Sequence, residues 1–100
     1  MKDVIVLAGA SSHVLGIYQR LEDRVEGSGV KFYAEFLDAC DRLRQNPEIA
    51  SRYDSRFRKL LLKKWHVGVF YRNTNLRIMV SAVMDLRQDP QTIRRHLESL

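Results

Sequence analysis

Val67-Gly68-Val69-Phe70-Tyr71-Arg72, the polar triplet Asn73-Thr74-Asn75, and Leu76-Arg77-Ile78-Met79-Val80-Ser81-Ala82-Val83-Met84 decide the fold of this 100-residue chain. Both runs are rich in Val, Ile, Phe and Tyr and free of proline, as half-buried strands require. The triplet between them is a hairpin turn of residues that tolerate positive φ. Upstream, Arg56 to Lys64 has the same strand character and is separated from Val67 by Trp65-His66 alone. Links this short leave no room for crossover helices, so the three strands form an antiparallel meander. Along the last strand Leu76, Ile78, Val80, Ala82 and Met84 alternate with Arg77, Met79, Ser81, Val83 and Asp85, and the first set is expected to face the helices. The Leu60-Leu61-Leu62 triplet does not declare its inward face.

Working outward, the period changes from two to three and four. Val4 to Leu7 is a short β-branched strand, after which Ser11 or Ser12 offers a helix N-cap. Val14, Ile17, Tyr18, Leu21 and Val25 then mark one face of a helix over His13 to Glu26. Gly27-Ser28-Gly29 ends it. A second helix spans about Val30 to Gln45, with Tyr33, Phe36, Leu37, Cys40 and Leu43 as its apolar stripe, and Asn46-Pro47 closes it. The two helices pack as an antiparallel hairpin on the sheet. Asp89-Pro90 is a helix start with Asp as N-cap and Pro at the first helical position, and Ile93, Leu97 and Leu100 share the face of a short C-terminal helix. The architecture expected is α+β: a small antiparallel sheet packed against an N-terminal helical hairpin, with a short C-terminal helix, in a single domain over residues 1–100. A chain this short buries about two-thirds of its unfolded surface, so one domain is all it supports.

With 45% hydrophobic and 29% charged residues the composition is that of an ordinary globular chain. No apolar run reaches the roughly 18 residues of a spanning helix, and the N-terminus lacks the pattern of a secretory signal. The single cysteine, Cys40, has no partner for a disulfide, which fits a reducing compartment, and the cytoplasm is expected. The formal net charge of +5 is uneven. Residues 1–50 hold six Lys/Arg against eight Asp/Glu, whereas residues 51–100 hold eleven against four. From Ser55 to Met84 there are seven basic residues and no acidic one. Such a field suits an anionic partner or, equally, a solvated face that keeps the chain soluble.

Motifs for chemistry are sparse. His13, His66 and His96 lie far apart in sequence without metal-ligand spacing, so no metal site is expected, and no cofactor motif is present. Cys40 falls on a buried helical stripe, where a thiol is an inert hydrophobe. His66 lies between two basic strands and could serve as an acid or base, but a turn residue is the plainer reading. Trp65, Phe70, Tyr71 and Tyr53 interleave with the basic residues as a single-strand binder would have them, yet at strand spacing they read as core.

The most specific pattern is a train: Leu43-x-x-Asn46-Pro47-Glu48-Ile49, then Tyr53, Arg58-Lys59-Leu60-Leu61, Val67-Gly68-Val69-Phe70-Tyr71-Arg72, and Ile78-x-Val80-x-Ala82-Val83-x-Asp85-x-Arg87-x-Asp89-Pro90. It resembles the ParE branch of the RelE/ParE toxin superfamily, the toxins of two-gene toxin–antitoxin or plasmid-stabilisation systems. The resemblance covers nearly the whole chain and implies the same α+β fold. It also implies a cognate antitoxin that lays a helix in an apolar groove and adds backbone pairing at a sheet edge.

The superfamily divides into ribosome-dependent mRNA endonucleases and inhibitors of DNA gyrase. Nuclease members hold the reacting phosphate with basic residues on the central strands and carry acid and base groups near the end of the last one. Here Gly68 stands where nucleases commonly have arginine, and Asp85 where many relatives have histidine. A nuclease would have to use Lys59, Lys63, Lys64, His66 and Asp85. The expected reading is therefore a gyrase inhibitor that acts by binding, with Arg58, Lys59, Lys63, Lys64, Arg72, Arg87, Arg94 and Arg95 as the target- or anion-binding set. The alternatives are an endonuclease acting on ribosome-bound mRNA and a non-toxic relative that only binds its antitoxin. No membrane partner is expected. Arg94 and Arg95 put the C-terminal helix forward as target contact, set against the reading that this helix merely caps the core.

Overall fold

The computed structural model describes residues 2–100. Its elements run β1 (Asp3–Val6), α1 (Ala8–Arg24), α2 (Ser28–Gln45), β2 (Ser51–Arg52), β3 (Arg58–Leu62), a 3₁₀ turn (Lys63–Trp65), β4 (Val67–Asn73), β5 (Arg77–Asp85) and α3 (Pro90–Glu98). One five-stranded sheet has the order β1-β5-β4-β3-β2. β1 runs parallel to β5 and the other pairs are antiparallel. The expected α+β architecture is borne out, with hairpin, meander and C-terminal helix in place.

The helical hairpin is closed by one carboxylate. Glu22 accepts the backbone N–H groups of Gly27 at 3.0 Å, Gly29 at 2.7 Å and Val30 at 3.2 Å, so a side chain near the end of α1 caps the start of α2. The bond from the Gly27 N–H, with those of Val30 and Gly29, holds the Glu22 carboxyl below the usual carboxylate range although burial opposes it. Gly27 takes φ 89°, a left-handed conformation suited to glycine. At Gly29 a Cβ would lie 2.5 Å from the Tyr18 carbonyl oxygen and 2.7 Å from Glu22 Cγ, so only glycine lets the helices approach here.

Several boundaries differ from the sequence expectation, each for a local reason. α1 begins at Ala8, not His13, and Ser11 and Ser12 lie inside it. Leu7 is the cap: its N–H continues the sheet by donating to Val80 O at 3.0 Å, and its carbonyl accepts the Ser11 N–H at 2.9 Å. β3 is shorter than Arg56 to Lys64, because Asp54 Oδ1 accepts the N–H groups of Arg56 and Phe57 at 2.8 Å each and holds them in a turn. At its other end the chain turns through Lys63–Trp65 into His66, which adopts φ 53°. The Asn73-Thr74-Asn75 turn needs no positive φ; Thr74 closes it by accepting the Arg77 N–H at 3.1 Å. The two-residue β2 has no counterpart in the sequence reading.

The largest departure is in β5. Phe70 pairs with Ala82 but Tyr71 pairs with Val80, which leaves Ser81 as an extra residue in the ladder. Before this bulge Ile78 and Val80 face the helical hairpin. After it the parity reverses. Val83 takes the hairpin side, while Ala82 and Met84 turn to the opposite face and join Phe57, Phe70, Ile93 and Leu97 in a second core under α3. The expectation that Leu76, Ala82 and Met84 face the hairpin is therefore corrected, and Leu76 is 80% exposed at the turn. The leucine triplet is settled by pairing: Leu60 and Leu62 lie inward against α2, and Leu61 faces out on the other side. Asp89 caps α3 as expected, accepting the Gln91 N–H at 2.9 Å.

Gly29→Ala is expected to destabilise the fold by about 1–3 kcal/mol through overpacking. Gly16→Ala, in the same hairpin but with open space around its Cβ position, is expected to stabilise by about 0.5–1 kcal/mol. Urea unfolding of the two variants beside the parent chain checks both signs.

Candidate functional site

The basic residues that are consecutive in sequence are dispersed by the antiparallel β3–β4 pair. Lys63 and Lys64 lie exposed on the 3₁₀ turn at one end, with Lys64 Nζ 5.0 Å over the Trp65 ring. Arg58 and Arg72 lie at the other end, where Arg58 opposes Tyr71. Lys59 stands between them on the α3 side, beside Gly68. Arg94 and Arg95 are exposed on α3, whose Ile93 and Leu97 are buried, so that helix both covers the second core and presents two cations.

Gly68 is sealed by its neighbours. A Cβ there would lie 2.9 Å from Leu86 Cδ2, 3.1 Å from Phe70 Cε2 and 3.3 Å from Lys59 Cδ, so the space above the strand is filled by these neighbours and leaves no room for a side chain at position 68. Asp85 is equally committed. Arg87 donates to it from the backbone N–H at 2.8 Å, Nε at 3.2 Å and a terminal nitrogen at 3.2 Å, and Arg20 lies 3.5 Å away. The Arg87 side-chain hydrogen bond, foremost, keeps this carboxyl below its usual range, which makes it a poor proton acceptor near neutrality. His66 carries the exposed left-handed turn, and its carbonyl accepts the Leu86 N–H at 2.7 Å. The five residues a nuclease would need thus sit around Leu86 and the 3₁₀ turn, with Asp85 tied to Arg87 and Arg20.

Two features were not readable as sites in the sequence. The first is a histidine pair. His13 and His96 meet edge to face with ring centroids 5.0 Å apart, joining α1 to α3. His13 Nδ1 accepts the Val83 N–H at 3.1 Å, just past the bulge. Burial, with a smaller effect from His96, lowers the His13 pKa below 6.5. Among the described residues no group of three His, Cys, Asp or Glu side chains could hold a metal.

The second is an apolar groove of about 500 Å³ between α1, α2 and β1. Leu15, Tyr33 and Leu37 are 56%, 44% and 46% exposed there, beside Val4, Val6, Val14, Tyr18 and Phe36. Tyr33 and Leu37 belong to the stripe assigned to the core from sequence; the buried face of α2 is instead Phe32, Phe36, Ala39, Cys40 and Leu43. The signal available in the sequence was a stripe wider than one packing face needs. Burial pushes the Cys40 thiol up, in keeping with an unreactive hydrophobe. Along the groove runs β1, last in the sheet order, whose outer edge has no strand partner among the described residues.

The comparison with solved structures bears directly on this arrangement of hairpin, sheet and α3. A chain in the structure of the chromosomal ParDE TA system from P. aeruginosa superposes with a TM-score of 0.77 at 14% identity, covering 87% of this chain and 98% of that one. The fold is ParE-like. No protein-family model matches the sequence, and no curated protein does. The ParE-like fold therefore persists here at an identity where packing pattern, more than residue identity, is shared. Among the described residues no helix is long and apolar enough to cross a membrane.

His13 gives the fold a pH dependence with a definite sign. Above 6.5, its ordinary value, His13 is neutral folded and unfolded, and its contribution is complete. As the pH falls below 6.5 toward the lowered folded value, the unfolded chain takes up the proton first, so stability is lost. His13→Gln, which keeps an acceptor for Val83 but does not titrate, is expected to flatten the change in urea midpoint between about pH 7.5 and about pH 5.5.

Proposed function

We propose that this chain is the toxin component of a type II toxin–antitoxin system, that it acts by binding DNA gyrase, and that a cognate antitoxin neutralises it. The observation that carries the reading is the exposed apolar groove beside the open edge of β1. Monomeric proteins seldom leave such a patch uncovered without a partner for it. An amphipathic helix fits the groove, and an extended segment of the same partner can pair with β1, a combination that joins apolar anchoring to backbone hydrogen bonds. The ParE-like fold supports the same assignment, since the solved structure it resembles is described as a ParDE TA system.

Binding rather than cleavage is favoured by the other face. Gly68 lies under Leu86, Asp85 is held by Arg87 and Arg20, and Lys59 is apart from Lys63 and Lys64. A ribonuclease needs a positioned acceptor and a cluster of cations on the reacting phosphate. The exposed Arg94 and Arg95 on α3 offer charge complementarity to an acidic target surface.

Purified, antitoxin-free protein is expected to inhibit supercoiling by DNA gyrase and to leave ribosome-bound mRNA intact in a translating extract. Message cleavage with unimpaired supercoiling would reverse the assignment. Leu15→Glu with Leu37→Glu, both at exposed positions, is expected to preserve gyrase inhibition while weakening antitoxin binding by about a hundredfold, read by titration of the antitoxin onto each form.

A further inference from the structure

At the end of the sheet where the β2–β3 and β4–β5 turns meet, a polar pocket of about 510 Å³ is lined by Arg52, Arg56, Arg58 and Arg72, with Glu48 as the one carboxylate. Arg52 and Arg58 stand directly opposite each other across β2 and β3. Like charges at facing positions of a sheet are destabilising, and among the described residues no carboxylate forms an ion pair with any of the four. The carbonyl groups that hold Arg56 and Arg58 do not neutralise their charge, so the cluster favours a counter-charge from outside.

Two of the four are fixed in place. Arg58 donates to Ala50 O at 2.7 Å, and Arg56 donates to Leu97 O at 2.9 Å and Leu100 O at 3.4 Å at the end of α3. Each bond uses part of a guanidinium fork and leaves other N–H groups free. Arg52 and Arg72 are exposed and make no side-chain hydrogen bond among the described residues. Lys2 adds a fifth cation at the rim, where its Nζ donates to Asn73 Oδ1 and Thr74 O at 2.7 Å each.

We propose that this pocket binds a compact oligophosphate, a run of two or three phosphoryl groups such as a nucleoside di- or triphosphate carries. The forks of Arg52 and Arg72, with the remaining N–H groups of Arg56 and Arg58, match several phosphate oxygens, where a single carboxylate would satisfy only part of them. A polynucleotide fits less well. Among the described residues none that lines the pocket is aromatic, so a base has no ring there on which to stack. Lys59, next to Arg58 on β3, faces the α3 side of the sheet, and Lys63 and Lys64 lie at the far end of β3 and β4, so the positive charge at this end is a cluster and not a track.

Calorimetric titration of the purified chain with inorganic tripolyphosphate tests the site. Saturable binding of one ligand per chain is expected, with orthophosphate at least about tenfold weaker. Arg52→Gln with Arg72→Gln is expected to cost at least about tenfold, while the equal charge loss of Arg24→Gln with Lys31→Gln on the helical hairpin costs less than about twofold. A thermal melt of each variant confirms that it is folded. A nucleoside triphosphate binding as tightly as tripolyphosphate identifies nucleotides as the source, and weaker binding identifies inorganic polyphosphate. The proposal is overturned by absence of saturable binding to the folded parent chain, by equal losses in the two double variants, or by tighter binding of a single-stranded oligonucleotide or an oligoglutamate peptide.

Discussion

Ser81 sits as one residue too many in the ladder between β4 and β5, and the two-sided architecture depends on that slip. Strict alternation would send Ala82 and Met84 to the same face as Ile78 and Val80, taking both from the core under α3 and leaving Phe57 and Phe70 there without them. With the parity reversed, one strand supplies Ile78, Val80 and Val83 to the hairpin core and Ala82 and Met84 to the core under Ile93 and Leu97. Beyond Val80, β1 no longer accompanies β5, and the Val83 N–H turns to His13. The bulge, the end of β1 and the contact between α1 and α3 are thus parts of one adjustment.

The hairpin side is organised by a different economy of surface. α2 buries Phe32, Phe36, Ala39, Cys40 and Leu43, and Glu22 with Gly29 draws α1 close at one end. What this packing leaves over is the groove: Tyr33 and Leu37 on α2, Leu15 on α1, and the unpaired edge of β1. The polar end of the sheet is built in the reverse sense, with cations gathered where two turns converge. The two places share no lining residue, so a partner on the groove and an anion in the pocket can coexist.

Much of this was legible in local pattern. The three-and-four spacing through Val14, Ile17 and Leu21, the Asp89-Pro90 cap and the Asn73-Thr74-Asn75 turn each act within a few residues, and each lies where its chemistry directs. Failures came where the deciding contact was distant. Ser11 and Ser12 looked like caps, but Leu7 was already held by Val80, 73 positions along. His13 and His96 carry no joint signature, yet their rings touch. The basic run from Arg56 to Arg77 reads as one stripe, whereas folding β3 back on β4 brings Arg58 and Arg72 to one end and sends Lys63 and Lys64 to the other.

By itself the sequence determined the class of fold, because helix and strand periods, caps and turn residues are short-range properties written into consecutive positions. It also determined the sign of the second half's charge. Tertiary structure alone decided which face of β5 each residue takes, which apolar residues stay uncovered, and which arginines converge. Those outcomes depend on register between strands and on the approach of elements distant in the chain, and a single inserted residue in a ladder is enough to reverse them.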